Sequence, residues 1–204
     1  MRTKIARLLT SEKASQEVVR QQDVFLYLKG MCAIGAIARS IVSESTYSSD
    51  PYASTPECIR VSGYERFTFY TQGVSAKLDQ LELLLASDRS IACLFCEIPS
   101  NPLYATPDLH RIRRLADQYH FAVVYDDTIG TFENVDVLPH VDVIVTSLTK
   151  MFSGACDVMA VSVALNPQSP FHKKLSAKLS GNYKNLVFST DAEVLLRNYL
   201  DFQA

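Results

Sequence analysis

The sequence predicts an α/β protein built on a mostly parallel sheet sandwiched by helices. Three observations predict it. Short apolar runs of strand length alternate with longer amphipathic runs along the 204 residues. The later strand runs are apolar at nearly every position, as strands buried on both faces are. Apolar residues make up 48% of the chain, enough for one substantial core.

Residues 1–22 read as a polar helix, with Ile5, Leu8, Leu9, Val18 and Val19 on roughly one side. Residues 24–28 (VFLYL) read as a strand. The turn at Lys29-Gly30 then opens a helix to about residue 42. Residues 43–56 are rich in Ser, Thr, Tyr and Pro and read as loop. Residues 67–70 (FTFY) are β-prone, and residues 76–86 (AKLDQLELLLA) form an amphipathic helix. Residues 91–97 (IACLFCE) make an apolar strand closed by the turn sequence Pro99-Ser100-Asn101-Pro102. Thr106 as N-cap and Pro107 at the first helical position start a helix that runs to about Tyr119. Strands follow at 121–127 (FAVVYDD), 141–147 (VDVIVTS) and 158–165 (VMAVSVAL), and helices near 171–179 and 191–202.

Composition excludes several classes. Twenty positive against 22 negative residues give a net charge of -2, no footprint for nucleic acid or an anionic membrane. No run of about 18 apolar residues offers a membrane-spanning helix. Five cysteines are too few for a disulfide scaffold, and their number is odd. The N-terminus lacks the apolar stretch of a secretory signal, and Glu12, Glu17 and Asp23 argue against a mitochondrial presequence. A reduced, cytoplasmic protein is expected.

Several motifs fail on inspection. Gly30 to Gly35 has P-loop glycine spacing, but Ala36-Ile37 stands where Lys-Ser/Thr is required. Cys93 and Cys96 form a CxxC inside a strand run, where an offset of three puts the sulfurs on opposite faces. Ser147-Leu148-Thr149-Lys150 matches SxxK, yet neither SDN nor KTG follows. The four histidines, His110, His120, His140 and His172, lack metal-ligand spacing, so no metal is expected.

One constellation holds. In parallel sheets ligands bind beyond the carboxyl ends of the strands. That directs attention to residues 97–101, 126–128 and 147–150. Asp126 and Lys150 end two consecutive strands. An acid and a lysine so placed suit pyridoxal 5′-phosphate (PLP): the lysine bonds the aldehyde, and the carboxylate pairs with the protonated ring nitrogen. Ser147 and Thr149 flank the lysine with hydroxyls for a phosphate, and Gly30 opens a helix whose amides could bind the same dianion. The same residues read equally well as a surface lysine and a solvated loop acid.

The longer segments carry a resemblance. Residues 96–130 (CEIPSNPLYATPDLHRIRRLADQYHFAVVYDDTIG) and 141–160 (VDVIVTSLTKMFSGACDVMA) resemble the Cys/Met-metabolism PLP enzymes, also called the cystathionine γ-synthase family, and most of all its fungal members. The likeness runs from about Asp23 to Ala204. It implies the large cofactor domain of PLP fold type I, the aspartate aminotransferase-like architecture, over residues 23–185. Residues 1–22 are then an N-terminal helical segment, and residues 186–204 a linker helix towards a small C-terminal domain that the chain does not include.

The resemblance also implies site roles. Lys150 is the Schiff-base lysine and Asp126 the pyridinium partner. Ser147 and Thr149, with the backbone of Gly30 and Met31, make the phosphate cradle. Tyr52 stacks on the cofactor ring, Asn101 lies near its phenolic oxygen, and Glu97 and Thr128 line the same pocket. The implied activity is γ-replacement on an activated homoserine with cysteine, in a homo-oligomer (dimer or tetramer) of sulfur amino-acid metabolism. The scaffold's other reactions are β- or γ-elimination and sulfhydrylation; a shortened, catalytically incompetent paralogue is a third reading. The arginine that binds the substrate carboxylate in the family has no counterpart here.

Overall fold

A computed structural model describes residues 1–9, 19–41, 45–49, 55–62, 66–70, 75–87 and 89–203. The chain begins with α1 (Arg2–Leu8), then β1 (Val24–Tyr27) and α2 (Gly30–Ser40). Next come β2 (Ser45–Ser49), α3 (Thr55–Val61), β3 (Arg66–Tyr70) and α4 (Ser75–Ala86). The central part holds β4 (Cys93–Glu97), α5 (Leu109–Tyr119), β5 (Ala122–Asp126), the short α6 (Thr131–Asn134) and β6 (Val143–Ser147). It closes with β7 (Val161–Leu165), α7 (His172–Asn182) and α8 (Ser189–Gln203).

The strands form one sheet in the order β1-β7-β6-β5-β4-β2-β3. Neighbours from β3 through β6 pair parallel, whereas β7 runs antiparallel to both β6 and β1. The reversal has a local cause. A parallel neighbour needs a crossover back to the other end of the sheet. Between β6 and β7 the chain makes only the wide turn Leu148–Phe152 at the carboxyl end of β6, so it returns antiparallel.

Side chains alternate across the sheet, as period two requires. In β4 and β5, Leu94, Cys96, Val123 and Tyr125 join a core that also takes residues of α1, α4, α5 and α8. Cys93, Phe95, Ala122 and Val124 face the other way, into a core under α2, α3 and α7. Cys93 and Cys96 therefore sit in opposite cores, both reduced. The first and last helices are fixed in the former core through Ile5, Leu195 and Tyr199.

Three readings are corrected. Residues 43–56 are not all loop: they contain β2 and the start of α3. β2 lies between β3 and β4 and is held by main-chain ladders on both sides, which its composition does not announce. The fifth helix is capped by Asp108, not Thr106. The Asp108 carboxylate accepts from the Arg111 amide at 3.0 Å, and Pro107 precedes the cap. The N-terminal helix covers Arg2–Leu8 and does not extend to residue 22: Val19 and Arg20 are outside any helix, and Gln21–Asp23 form a separate 3-10 turn.

Candidate active site

The carboxyl ends of β4, β5 and β6 open onto a cavity of about 440 Å³. Register sets them side by side: Glu97 pairs with Asp126, and Asp126 with Val145. Glu97, Asn101, Asp126, Thr128, Ser147 and Lys150 all line this cavity. Gly30 and Met31, at the N-terminus of α2, close it from below. That end of an 11-residue helix presents amide donors and positive dipole to the cavity.

Asp126 is the best-fixed group. Its Oδ1 accepts from the Thr128 amide at 2.9 Å, and the Thr128 hydroxyl accepts from the Ser147 amide at 3.0 Å. One threonine thus ties the β5 end to the β6 end. Burial raises the Asp126 pKa; hydrogen bonds from Thr128 and the positive charge of Lys150 work against that rise. Beside it, Glu97 is buried and accepts from the Asn101 amide at 3.3 Å, which holds the loop after β4 against its own strand.

Lys150 sits in the wide turn Leu148–Phe152, where regular helix breaks at the lysine itself (φ −91°, ψ −114°). Buried anchors fix the turn on either side. The Leu148 amide donates to the Ala160 carbonyl at 2.9 Å, and the Phe152 ring stacks on Tyr199 at 4.8 Å. The lysine is carried on a rigid support and exposed toward the cavity.

Thr149 is placed differently from its neighbours. Its hydroxyl donates to the Ala160 carbonyl at 3.3 Å and accepts from the Ala160 amide at 3.1 Å. It is not among the residues lining the cavity, and what it does here is fasten the lysine turn to the start of β7. Tyr52 lies outside the described residues. Sequence reasoning did not single out Tyr104 and Met151, both exposed at the cavity. Tyr104 takes a positive φ of 53°, held by its amide donating to the Ser100 carbonyl at 2.8 Å; nothing in the local sequence signals it.

A lysine amine, a carboxylate and a helix N-terminus around one open cavity are the donor set that PLP requires, so the residues present fit that cofactor. The Cys/Met metabolism PLP-dependent enzyme model matches residues 7–197. The chain belongs to this family. It is 47% identical over its whole length to a cystathionine γ-synthase-like protein of Aspergillus thermomutatus, of which it spans 37%. It is 39% identical, over 91% of its length, to a cystathionine γ-synthase of Neurospora crassa, of which it spans 32%. An alanine racemase of Aspergillus violaceofuscus is 38% identical over 95% of the chain, which spans 34% of it. The chain thus covers about a third of these relatives. Among solved structures, a cystathionine γ-synthase of Xanthomonas oryzae superposes with a TM-score of 0.71 at 20% identity. That match covers 98% of this chain and 49% of the other, and it establishes the shared fold. Among the described residues no group of three or more His, Cys, Asp or Glu could hold a metal, and no helix is long and apolar enough to cross a membrane.

Proposed function

We propose that this chain is the cofactor-binding part of a PLP-dependent enzyme that performs γ-replacement on an activated homoserine, with cysteine as the incoming thiol. The observation that carries the reading is the meeting of Lys150 and Asp126 in one cavity above the N-terminus of α2. The closeness in sequence to the fungal cystathionine γ-synthase supports the substrate class.

PLP, when bound, supplies an electron sink for charge that develops at the substrate Cα. The chain's own residues do the rest. The Lys150 amine would hold the cofactor aldehyde and, when free, would take the substrate Cα proton and then a Cβ proton so that the γ-group can leave, returning protons once the thiol has added. Asp126 holds a proton on the ring nitrogen; its own hydrogen bonds to Thr128 fix the carboxylate in place for this. Gly30 and Met31 offer amides to the phosphate, and Ser147 a hydroxyl. Asn101 would lie near the cofactor's phenolic oxygen, with Glu97 and Thr128 as walls. By the family resemblance, Tyr52 would supply a stacking ring. Thr149 keeps the Lys150 turn in register with β7.

The racemase relative favours a second reading, in which the same proton removal is followed by return to the opposite face. One experiment addresses both. The chain is titrated with PLP and scanned for a visible band, then fixed with borohydride and mapped by mass spectrometry. A PLP adduct on Lys150, absent from Lys150→Ala, is expected. Loaded protein is then given activated homoserine with cysteine, or L-alanine alone. Cystathionine sustains the first reading and D-alanine the second. No adduct on Lys150 overturns both.

A further inference from the structure

Asp126 ends β5 and Asp127 follows it, and only the first lines the cavity. Asp127 points away from it and is fully buried, at 0% exposure. Its Oδ1 lies 2.9 Å from the Tyr125 phenolic oxygen, and its Oδ2 has no hydrogen-bond partner among the described residues. The same phenolic oxygen lies 2.7 Å from the Ile98 carbonyl oxygen. No ion pair reaches Asp127 among the described residues.

Proton counting decides what this cluster is. A phenol has one proton, and a backbone carbonyl can only accept. If Tyr125 donates to Ile98, the second short contact needs a proton on Asp127. An ionised Asp127 would instead accept the phenol's hydrogen bond and leave the phenolic and Ile98 carbonyl oxygens 2.7 Å apart with no proton between them. It would also bury an unpartnered charged oxygen. A neutral acid removes both costs, because its unpartnered atom is then a carbonyl oxygen.

We propose that Asp127 is a neutral carboxylic acid in the folded chain. It donates to Tyr125, which donates to the Ile98 carbonyl. This relay latches the loop after β5 to the loop after β4. The first loop leaves the strand directly at Asp126 and the second carries Asn101, so Asp127 is a positioning residue for the cavity; this half rests on the function proposed above. Gly130 is the space that admits the relay: a Cβ there would lie 2.7 Å from Asp127 Oδ1, 3.0 Å from the Tyr125 phenolic oxygen and 3.1 Å from the Ile98 carbonyl oxygen.

The electrostatics agree. Burial, with the neighbouring Asp126 charge adding to it, pushes the Asp127 pKa up to about 8, against the hydrogen bond to Tyr125. Tyr125 is pushed up too, by burial first and then by Asp127, with Cys96 and Asp126 contributing. Lys150 acts on Asp126 from across the cavity. A folded-state pKa above the unfolded value stabilises the fold fully below about pH 4, and that stability is lost as pH rises to about 8. The latch therefore opens on the alkaline side.

Infrared spectroscopy of the cofactor-free chain reads the proton directly. At about pH 6.5, well below the raised pKa, a protonated-carboxyl band is expected that survives Asp126→Asn and disappears in Asp127→Asn. In the unaltered chain it should titrate away with a midpoint near 8, and in Asp126→Asn, which removes a charge that adds to the rise, at a somewhat lower pH that is still above the ordinary carboxylate range. Absence of that band, or its persistence in Asp127→Asn, overturns the proposal. Should Asp127→Asn fail to fold, the titration of Asp126→Asn alone decides. The positioning half is read in PLP affinity. Relative to Asp127→Asn, whose amide keeps a donor without a charge, the unaltered chain should weaken about tenfold between about pH 7 and pH 9. A flat ratio overturns the latch. Absence of PLP binding in every variant overturns the proposed function and the positioning half together, and leaves the protonation to the band alone.

Discussion

Two cavities lie at opposite ends of the strands, and they differ in what surrounds them far more than in size. The cavity at the carboxyl ends measures about 440 Å³ and the one at the amino ends about 350 Å³. Helix α2 runs between them. Its N-terminus, at Gly30 and Met31, faces the first, and its last turn, at Ser40 and Ile41, borders the second. The positive end of the helix dipole thus serves one and the negative end the other. The first cavity has an acid and a lysine on separate strand ends. The second has Lys174, His120 and Tyr119 among its lining residues, and among the described residues no carboxylate lines it. Volume alone does not make a reactive site. Parallel strand ends do, because each sends out a separate loop that can place one group against another.

The largest effect that can break this contrast is at Lys150. Lys150→Ala should abolish the visible band of bound PLP and lower turnover by about 10²–10⁴-fold. Lys174→Ala, at the other cavity, should leave the band unchanged. If the two behaved alike, the distinction between the ends of the sheet would be void. Asp126→Asn comes next. The cofactor should still attach to Lys150, but turnover should fall by about 10²–10³-fold as the fixed charge is lost. Unaltered single-turnover rates would remove Asp126 from the chemistry.

Stability probes sharpen the same comparison from the other side. Leu175 lines the second cavity and is 2% exposed in the core beneath α7. Leu175→Ala should cost about 2 kcal/mol, at the low end for such a truncation because the side chain already borders a void. Urea unfolding would measure it, and PLP affinity should not change. A matching loss of affinity would mean that the two cavities are coupled through the sheet.

How much of this was legible in the sequence depends on what each part rests on. Runs such as residues 121–127 and 141–147 announce buried strands because their composition fits no other environment. The strand-end rule then pointed to residues 97–101, 126–128 and 147–150, and the family resemblance picked out Glu97, Asn101 and Thr128 within them; these three line the cavity with Asp126, Ser147 and Lys150. β2 was illegible, since main-chain pairing on both sides holds it and side-chain pattern does not. The orientation of the Thr149 hydroxyl was also hidden: adjacent hydroxyls in Ser147-Leu148-Thr149 look equivalent, but the wide turn at Leu148–Phe152 sends one to the cavity and the other to Ala160. The role of Asp127 needed geometry, because a doublet of acids does not reveal which one loses its charge.

The smallest expected effect lies where the loop after β4 enters α5. Asp108 caps that helix through a 3.0 Å bond from the Arg111 amide and is exposed. Asp108→Ala should cost about 1 kcal/mol, and Asp108→Ser should recover most of it. Cofactor affinity should not follow. The cavity side of the loop is held separately, by the Ser100 amide donating to the Ala105 carbonyl at 2.9 Å, the Ala105 amide to the Ser100 hydroxyl at 3.1 Å and the Asn101 amide to Glu97 at 3.3 Å. These bonds lie between the helix and Asn101, so fraying at the cap is absorbed before it reaches the cavity. A drop in PLP affinity parallel to the loss of stability would show that the helix, rather than the loop's own bonds, sets the position of Asn101.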